Sequence, residues 1–261
     1  MSKNIKIGIA GMGAIGSTVA KALLDGKIRN MSLYAVSEIK DIDIDVPNLS
    51  FEQLAQKSDI IIESLPPDQA RDLARITLNH GKTLIMISSA ALSRFPEIIE
   101  LAENSDGRII IPSGALSGMD GVQGLKSMGI QSARIMSTKQ PLAYAGAPYI
   151  TDNNIDLHAI TQKTRLFSGN AEDAAKAFPA NVNVAVTLSL AGIGTKETTV
   201  EVWADPDAKG NKHEVHADGE YTSLSSTVQN LPDPANPKTS MLAAHSIIRC
   251  LKQMTDKVAV I

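Results

Sequence analysis

A chain of 261 residues is long enough to bury one large core or two smaller ones. Hydrophobic residues make up 43% of it, aromatics only 3%, and the formal net charge is −3 with no local run of lysine or arginine, which excludes nucleic acid as a partner. No apolar run reaches the roughly 20 residues of a membrane helix, the amino terminus MSKNIKIGIAGMG has no apolar export segment, and a single cysteine, Cys250, excludes an internal disulfide or a cysteine metal cluster.

These features predict a cytoplasmic protein with no metal and no membrane partner. In chain order, the first half reads as a β-α series. Apolar runs IKIGIA, SLYAV, DIIIES, TLIMIS and RIIIP alternate with helical stretches through TVAKALLDG, FEQLAQ, DQARDLARITLNHG and FPEIIELAEN. Strands that are apolar without alternation are covered on both faces, so this half is predicted to be a doubly wound α/β parallel sheet. After Pro112 the texture changes to a glycine-spaced helix, SGALSGMDGVQGLKSMG, and then to ETTVEVWAD, HEVHAD and YTSLSSTVQNL, whose period-2 character predicts antiparallel strands in an α+β domain. The stretch ADPDAKGNKHEV reads as a hairpin: one strand ends, a tight polar loop turns at Gly210, and a second strand opens. LPDPANPKTS then places Asn236 as an N-cap before Pro237, and a closing helix from about Lys238 is predicted to return to the first lobe. The domains are therefore drawn as 1–114 with 236–261, and 115–235.

The turn after the first strand is the strongest local signal. Gly11, Met12, Gly13, Ala14, Ile15 and Gly16 form G-x-G-x-x-G between a strand and a helix. One glycine allows the tight turn, one lets backbone approach a pyrophosphate, one lets helix pack closely on strand, and the helix start offers free N–H groups. Glu38, roughly 20 residues past Gly16, ends the second strand where an acid accepts from the adenosine ribose hydroxyls. NAD is favoured over NADP by that acid, while nearby Ser37 and Lys40 leave NADP possible. His213 in NKHEV reads either as a poised proton-transfer group or as a half-exposed strand residue. His213 and His216 are three apart in a strand and face opposite ways, as do His213 and its neighbour Glu214.

Four stretches together, LFSGNAEDAAKAFPANVNVAVTLSLAGIG, IIIPSGALSGMDG, ADPDAKGNKHEV and NLPDPANPKTSMLAA, resemble the L-aspartate dehydrogenase family in order and spacing. The resemblance implies a Rossmann domain joined to an α+β domain that forms the subunit interface, so a homodimer or higher homo-oligomer. It implies oxidation of L-aspartate with NAD(P) to iminoaspartate or oxaloacetate and ammonia, feeding NAD biosynthesis. It carries the catalytic histidine onto His213, and cofactor contacts onto Ala115 and Asn183. Asn181 competes with Asn183, since in a helix the two point in different directions. For a dicarboxylate amino acid, Lys238, Thr239 and Ser240 at a helix start are candidate ligands, with helix capping alone as the other reading. Lys139 and Lys163 are further cations, read as solvated surface lysines. The chain departs from the family at Ser88, Ser89, Ala90, Ala91, where the family often has serine, valine, glycine, alanine. It departs again at Lys139 and Gln140, where the family has a basic pair. A dehydrogenase of another small amino or hydroxy acid, or a non-catalytic dinucleotide sensor, are the alternatives.

Overall fold

The computed structural model describes residues 4–231 and 240–260. The chain divides into two compact units, Met1–Gly114 with Ala243–Ile261, and Ala115–Leu242. The boundary drawn at Asn236, and the Asn236–Pro237 cap with it, lie outside the described residues.

In the first unit the strands are β1 (Ile5–Ala10), β2 (Met31–Ser37), β3 (Ile60–Glu63), β4 (Thr83–Met86) and β5 (Arg108–Ile110). They form a parallel sheet in the order β2-β1-β3-β4-β5. Between them run α1 (Ala14–Leu24), α2 (Phe51–Lys57), α3 (Pro67–Asn79), α4 (Ala90–Arg94) and α5 (Glu97–Glu103). The strand order steps outward in opposite directions from β1 and β3, the switch point at which doubly wound sheets open a crevice at their carboxyl ends. Every residue of β3 is buried, as the unalternating IIIE run requires. Ser50 and Gln53 form a reciprocal capping box that starts α2 where the apolar pattern begins. A last helix, Met241–Gln253, places Ala244, Ile247, Ile248 and Leu251 at i, i+3, i+4 and i+7, and all four join Ile7, Ile9, Val19 and Ile62 in one core. The return of the closing segment to the first unit follows from that stripe.

In the second unit, α6 (Met119–Met128) leads into β6 (Ile130–Lys139), followed by α7 (Pro148–Asp152), β7 (Thr164–Asn170), α8 (Ala171–Ala177), α9 (Asn183–Ala191), β8 (Thr199–Ala204), β9 (Asn211–Gly219) and β10 (Ser223–Asn230). The sheet order is β10-β9-β6-β8-β7, with β6 and β8 parallel and the other neighbours antiparallel. The predicted hairpin is corrected here. β8 and β9 do not pair; β6 lies between them, and the loop after Ala204 crosses over its end. The aromatic side chains concentrate beside this sheet, where Tyr144, Tyr149, Phe167 and Phe178 pack mutually with ring centroids 5.3 to 5.8 Å apart.

Candidate active site

The glycine turn of the first unit fits a dinucleotide. Gly11 has φ +88°, and a Cβ there would collide with the Ser64 carbonyl oxygen. A Cβ on Gly16 would strike the Gly11 carbonyl oxygen, so the α1–β1 approach requires glycine. At Gly13 a Cβ would meet nothing within 4 Å, leaving open space where the second glycine of the motif lets a pyrophosphate approach. Gly13 is also the N-cap of α1, which has no side-chain cap bond and no acid in its first turn, as suits a helix start that receives a phosphate. Ser64 Oγ donates to the Gly11 carbonyl at 2.8 Å and fixes the turn from β3's end.

Glu38 follows β2 directly and accepts the Met12 N–H at 2.7 Å, and its other oxygen accepts from Ile39 and Lys40 at 2.8 and 3.2 Å. The Met12 bond, more than the others, holds its carboxyl below the usual carboxylate range, so it is an anion at neutral pH. Asn48 clamps the Glu38 backbone from both sides, accepting from its N–H and donating to its carbonyl.

Glu63 is a feature that sequence reasoning missed. Fully buried at the end of β3, it accepts from the N–H groups of Leu65 (2.5 Å) and Ser88 (3.0 Å) and so ties the ends of β3 and β4 together. Burial raises its carboxyl, and those N–H donors oppose the rise. Ser88, which keeps the serine of the family pattern beside the departures at Ser89 and Ala90, donates its hydroxyl to the Leu65 carbonyl and is part of this brace.

In the second unit, His213 lies on β9 directly opposite Ser137 of β6, and Ser137 Oγ is 3.0 Å from its Nδ1. The side chain is 4% exposed. Burial, with a smaller contribution from the Lys139 charge, pulls its pKa down to about 3, so the imidazole is neutral at physiological pH. When Nδ1–H donates to Ser137 Oγ, the Nε2 lone pair is free to accept a proton. His216 bonds Ser225 Oγ at 2.9 Å and Glu214 pairs with Lys212 at 2.8 Å, so neither is the orienting partner of His213. That partner is the Ser137 hydroxyl.

Lys139 is the second correction. Expected as a solvated lysine, it is 9% exposed at the end of β6, two residues from Ser137 on the same strand face, with its ammonium 5.8 Å from the Tyr144 ring centre. Desolvation lowers its pKa to about 8. Tyr144 Oη donates to the carbonyls of Trp203 and Ser137, which fixes the ring beneath the ammonium. Lys163 instead lies over Trp203, 5.2 Å from the ring centre. Trp203 alternates with inward-facing Val202 and Ala204, so it occupies the other face of the sheet. Gln140 donates to the Ala208 carbonyl at 3.1 Å.

The remaining sequence-read residues are on other elements of the second unit. Ala115 is buried at its first position. Asn183 begins α9, whereas Asn181 precedes the helix and donates its amide to the Ala143 carbonyl at 3.1 Å, so the two asparagines are separated by the helix boundary and not by helical rotation. Ser240 donates to Asn230 Oδ1 at 2.6 Å and accepts from the Leu242 N–H at 3.2 Å, a capping arrangement at the start of Met241–Gln253, labelled α10 from here. Lys238 and Thr239 lie outside the described residues. Among the described residues no group of three or more His, Cys, Asp or Glu could hold a metal ion, and no helix is long and apolar enough to cross a membrane.

A glycine cradle at the switch point of a parallel sheet, joined in one chain to a mixed sheet carrying a buried neutral histidine, defines the class of Rossmann-type, nicotinamide-dinucleotide-linked oxidoreductases. Residues 11–112 match the family model described as homoserine dehydrogenase, NAD binding domain, and residues 120–254 match that described as aspartate dehydrogenase, C-terminal. L-aspartate dehydrogenase 3 of Bordetella bronchiseptica is 37% identical, with 99% of this chain and 98% of that protein covered. L-aspartate dehydrogenase of Methanosarcina barkeri is 38% identical over 98% of this chain and 99% of that protein. The crystal structure of aspartate dehydrogenase from Thermotoga maritima superposes with a TM-score of 0.78 at 26% identity, covering 98% of this chain and 99% of that one. The chain belongs to the L-aspartate dehydrogenase family.

Proposed function

We propose that the chain oxidises L-aspartate with NAD(P), releasing iminoaspartate, which water converts to oxaloacetate and ammonia. The observation that carries this reading is His213, buried and neutral, held through Nδ1 by Ser137 in a unit matching the aspartate dehydrogenase model. The nicotinamide, when bound, accepts the hydride leaving the α-carbon. His213 Nε2 takes the proton from the substrate's amino group, or from the water that attacks the imine, a role worth roughly 10² to 10⁴-fold in rate. Gly11 to Gly16 hold the pyrophosphate, and Ala115 and Asn183 border the nicotinamide end. Glu38, as an anion, accepts from the ribose hydroxyls and repels a 2′-phosphate, which favours NAD over NADP.

The same reading makes the protein a cytoplasmic homodimer that supplies iminoaspartate for NAD synthesis, with the outward face of the second sheet, around Met136 and Trp203, covered by a second copy. Absorbance at the reduced-nicotinamide band, with a panel of amino and hydroxy acids against NAD and NADP, tests substrate and cofactor together. Aspartate with NAD is expected to give the highest kcat/KM. Turnover of another acid with none of aspartate would replace the reading.

A further inference from the structure

Glu63, His213 and Lys139 are deeply buried, and the first two have partners suited to them. Glu63 has backbone N–H donors, and His213 has Ser137. Among the described residues Lys139 has no anion. The ion pairs of the described residues are all formed by other cations. The Lys139 ammonium lies 5.8 Å from the centre of the Tyr144 ring. An ammonium withdrawn from water without a carboxylate is costly, and an apolar side chain of the same length would pack there at lower cost.

The placement gives that cost a use. Lys139 is the last residue of the central strand β6, and its backbone is fixed on the β8 side by register with Ala204 and by the Asp205 N–H, which its carbonyl accepts at 2.9 Å. It projects from the same strand face as Ser137, one strand repeat of about 7 Å along, and Ser137 is in register with His213. A four-carbon dicarboxylate can span that interval, one end on the ammonium and its amino group at the imidazole.

We propose that Lys139 determines the acidic specificity of this site: its ammonium holds a carboxylate of the amino-acid substrate in register with His213. This rests on the aspartate reading for the identity of the substrate and deepens it. The depressed basicity of His213 fits the same arrangement, because the uncompensated Lys139 charge contributes to it and a bound carboxylate would offset that contribution.

The test compares wild type with Lys139→Met and Lys139→Arg in the full-length protein. The KM for aspartate is expected to rise roughly 100-fold in Lys139→Met, the loss typical of removing one partner of a buried charge pair. The Kd for NADH without substrate should stay within about twofold, and Lys139→Arg should recover most of the affinity. Binding of succinate to the protein–NADH complex, followed by calorimetry, should be lost in Lys139→Met as well. An aspartate KM within about threefold of wild type, or a loss confined to kcat, would overturn the proposal. If wild type does not turn over aspartate, the functional reading fails by itself. Lys139 then stands or falls on whether succinate binds wild type and is lost in Lys139→Met.

Discussion

Exchanging the buried charge for a neutral chain should change how stability follows pH. In Lys139→Met the new side chain fills most of the volume of the lysine stem while the ammonium is gone. Burial holds Lys139 at about 8 in the folded protein against an ordinary 10.5. Because the folded value is the lower one, the unfolded chain binds more protons between the two, and stability rises with pH across that window. The gap, 10.5 less about 8, corresponds to about 3 kcal/mol in full, of which about 2 kcal/mol falls between pH 7 and 9.5. Tyr144 acts in the opposite sense. Burial raises its phenol, so the folded protein keeps a proton that the unfolded chain loses above its ordinary 10.0, and the comparison is kept below that. Urea denaturation at fixed protein concentration, in steps across that range, measures the midpoints at a common m-value. Wild type should gain about 2 kcal/mol, and Lys139→Met should stay flat and start ahead at pH 7. A wild-type curve that does not rise, or a rise that survives in the variant, refutes the burial of an unpaired ammonium at this position.

His213→Asn should lower kcat by roughly 10² to 10⁴-fold while leaving the Kd for NADH unchanged, as stopped-flow turnover and fluorescence titration will measure. The same variant should lose an acid-side slope: the folded imidazole titrates at about 3 and the unfolded one at 6.5, so wild-type stability falls by up to about 1.4 kcal/mol per pH unit on acidification through that interval. At the glycine turn, Gly13→Ala meets no protein atom and should keep the wild-type melting temperature while weakening dinucleotide binding. Gly16→Ala collides with the Gly11 carbonyl and should lower both. Equal losses in the two variants would show that the space over Gly13 is not where the cofactor approaches.

The parallel sheet was readable because its strands obey one rule at nearly every position. IKIGIA and DIIIES are apolar without alternation, and the strands they predict, β1 and β3, lie at the centre of the order. The glycine turn was readable for a related reason: backbone geometry allows no other residue at Gly11 and Gly16, so steric need and sequence coincide. The loop after Ala204 was misread because its length does not decide between topologies. Six residues, Asp205 to Gly210, span the gap to an adjacent strand or across one intervening strand, about 5 or 10 Å, equally well. Tertiary pairing with β6 made the choice.

β6 itself escaped the sequence reading, and the cause is the chemistry it carries. In IQSARIMSTK the inward positions of the strand are Ala133, Ile135, Ser137 and Lys139, and the last two replace the apolar residues that would have completed the alternation. His213 breaks β9 in the same way, at the position in register with Ser137. Sequence patterns report what is cheap to bury, so a strand that buries a hydroxyl, an ammonium and an imidazole on one face loses its signature where the site is. For this fold the failure is informative. A central strand with two consecutive inward polar positions, opposite a buried histidine, costs stability that an apolar strand would not, and a ligand with a negative charge for Lys139 and a proton for His213 would offset that cost. An acidic amino acid supplies both.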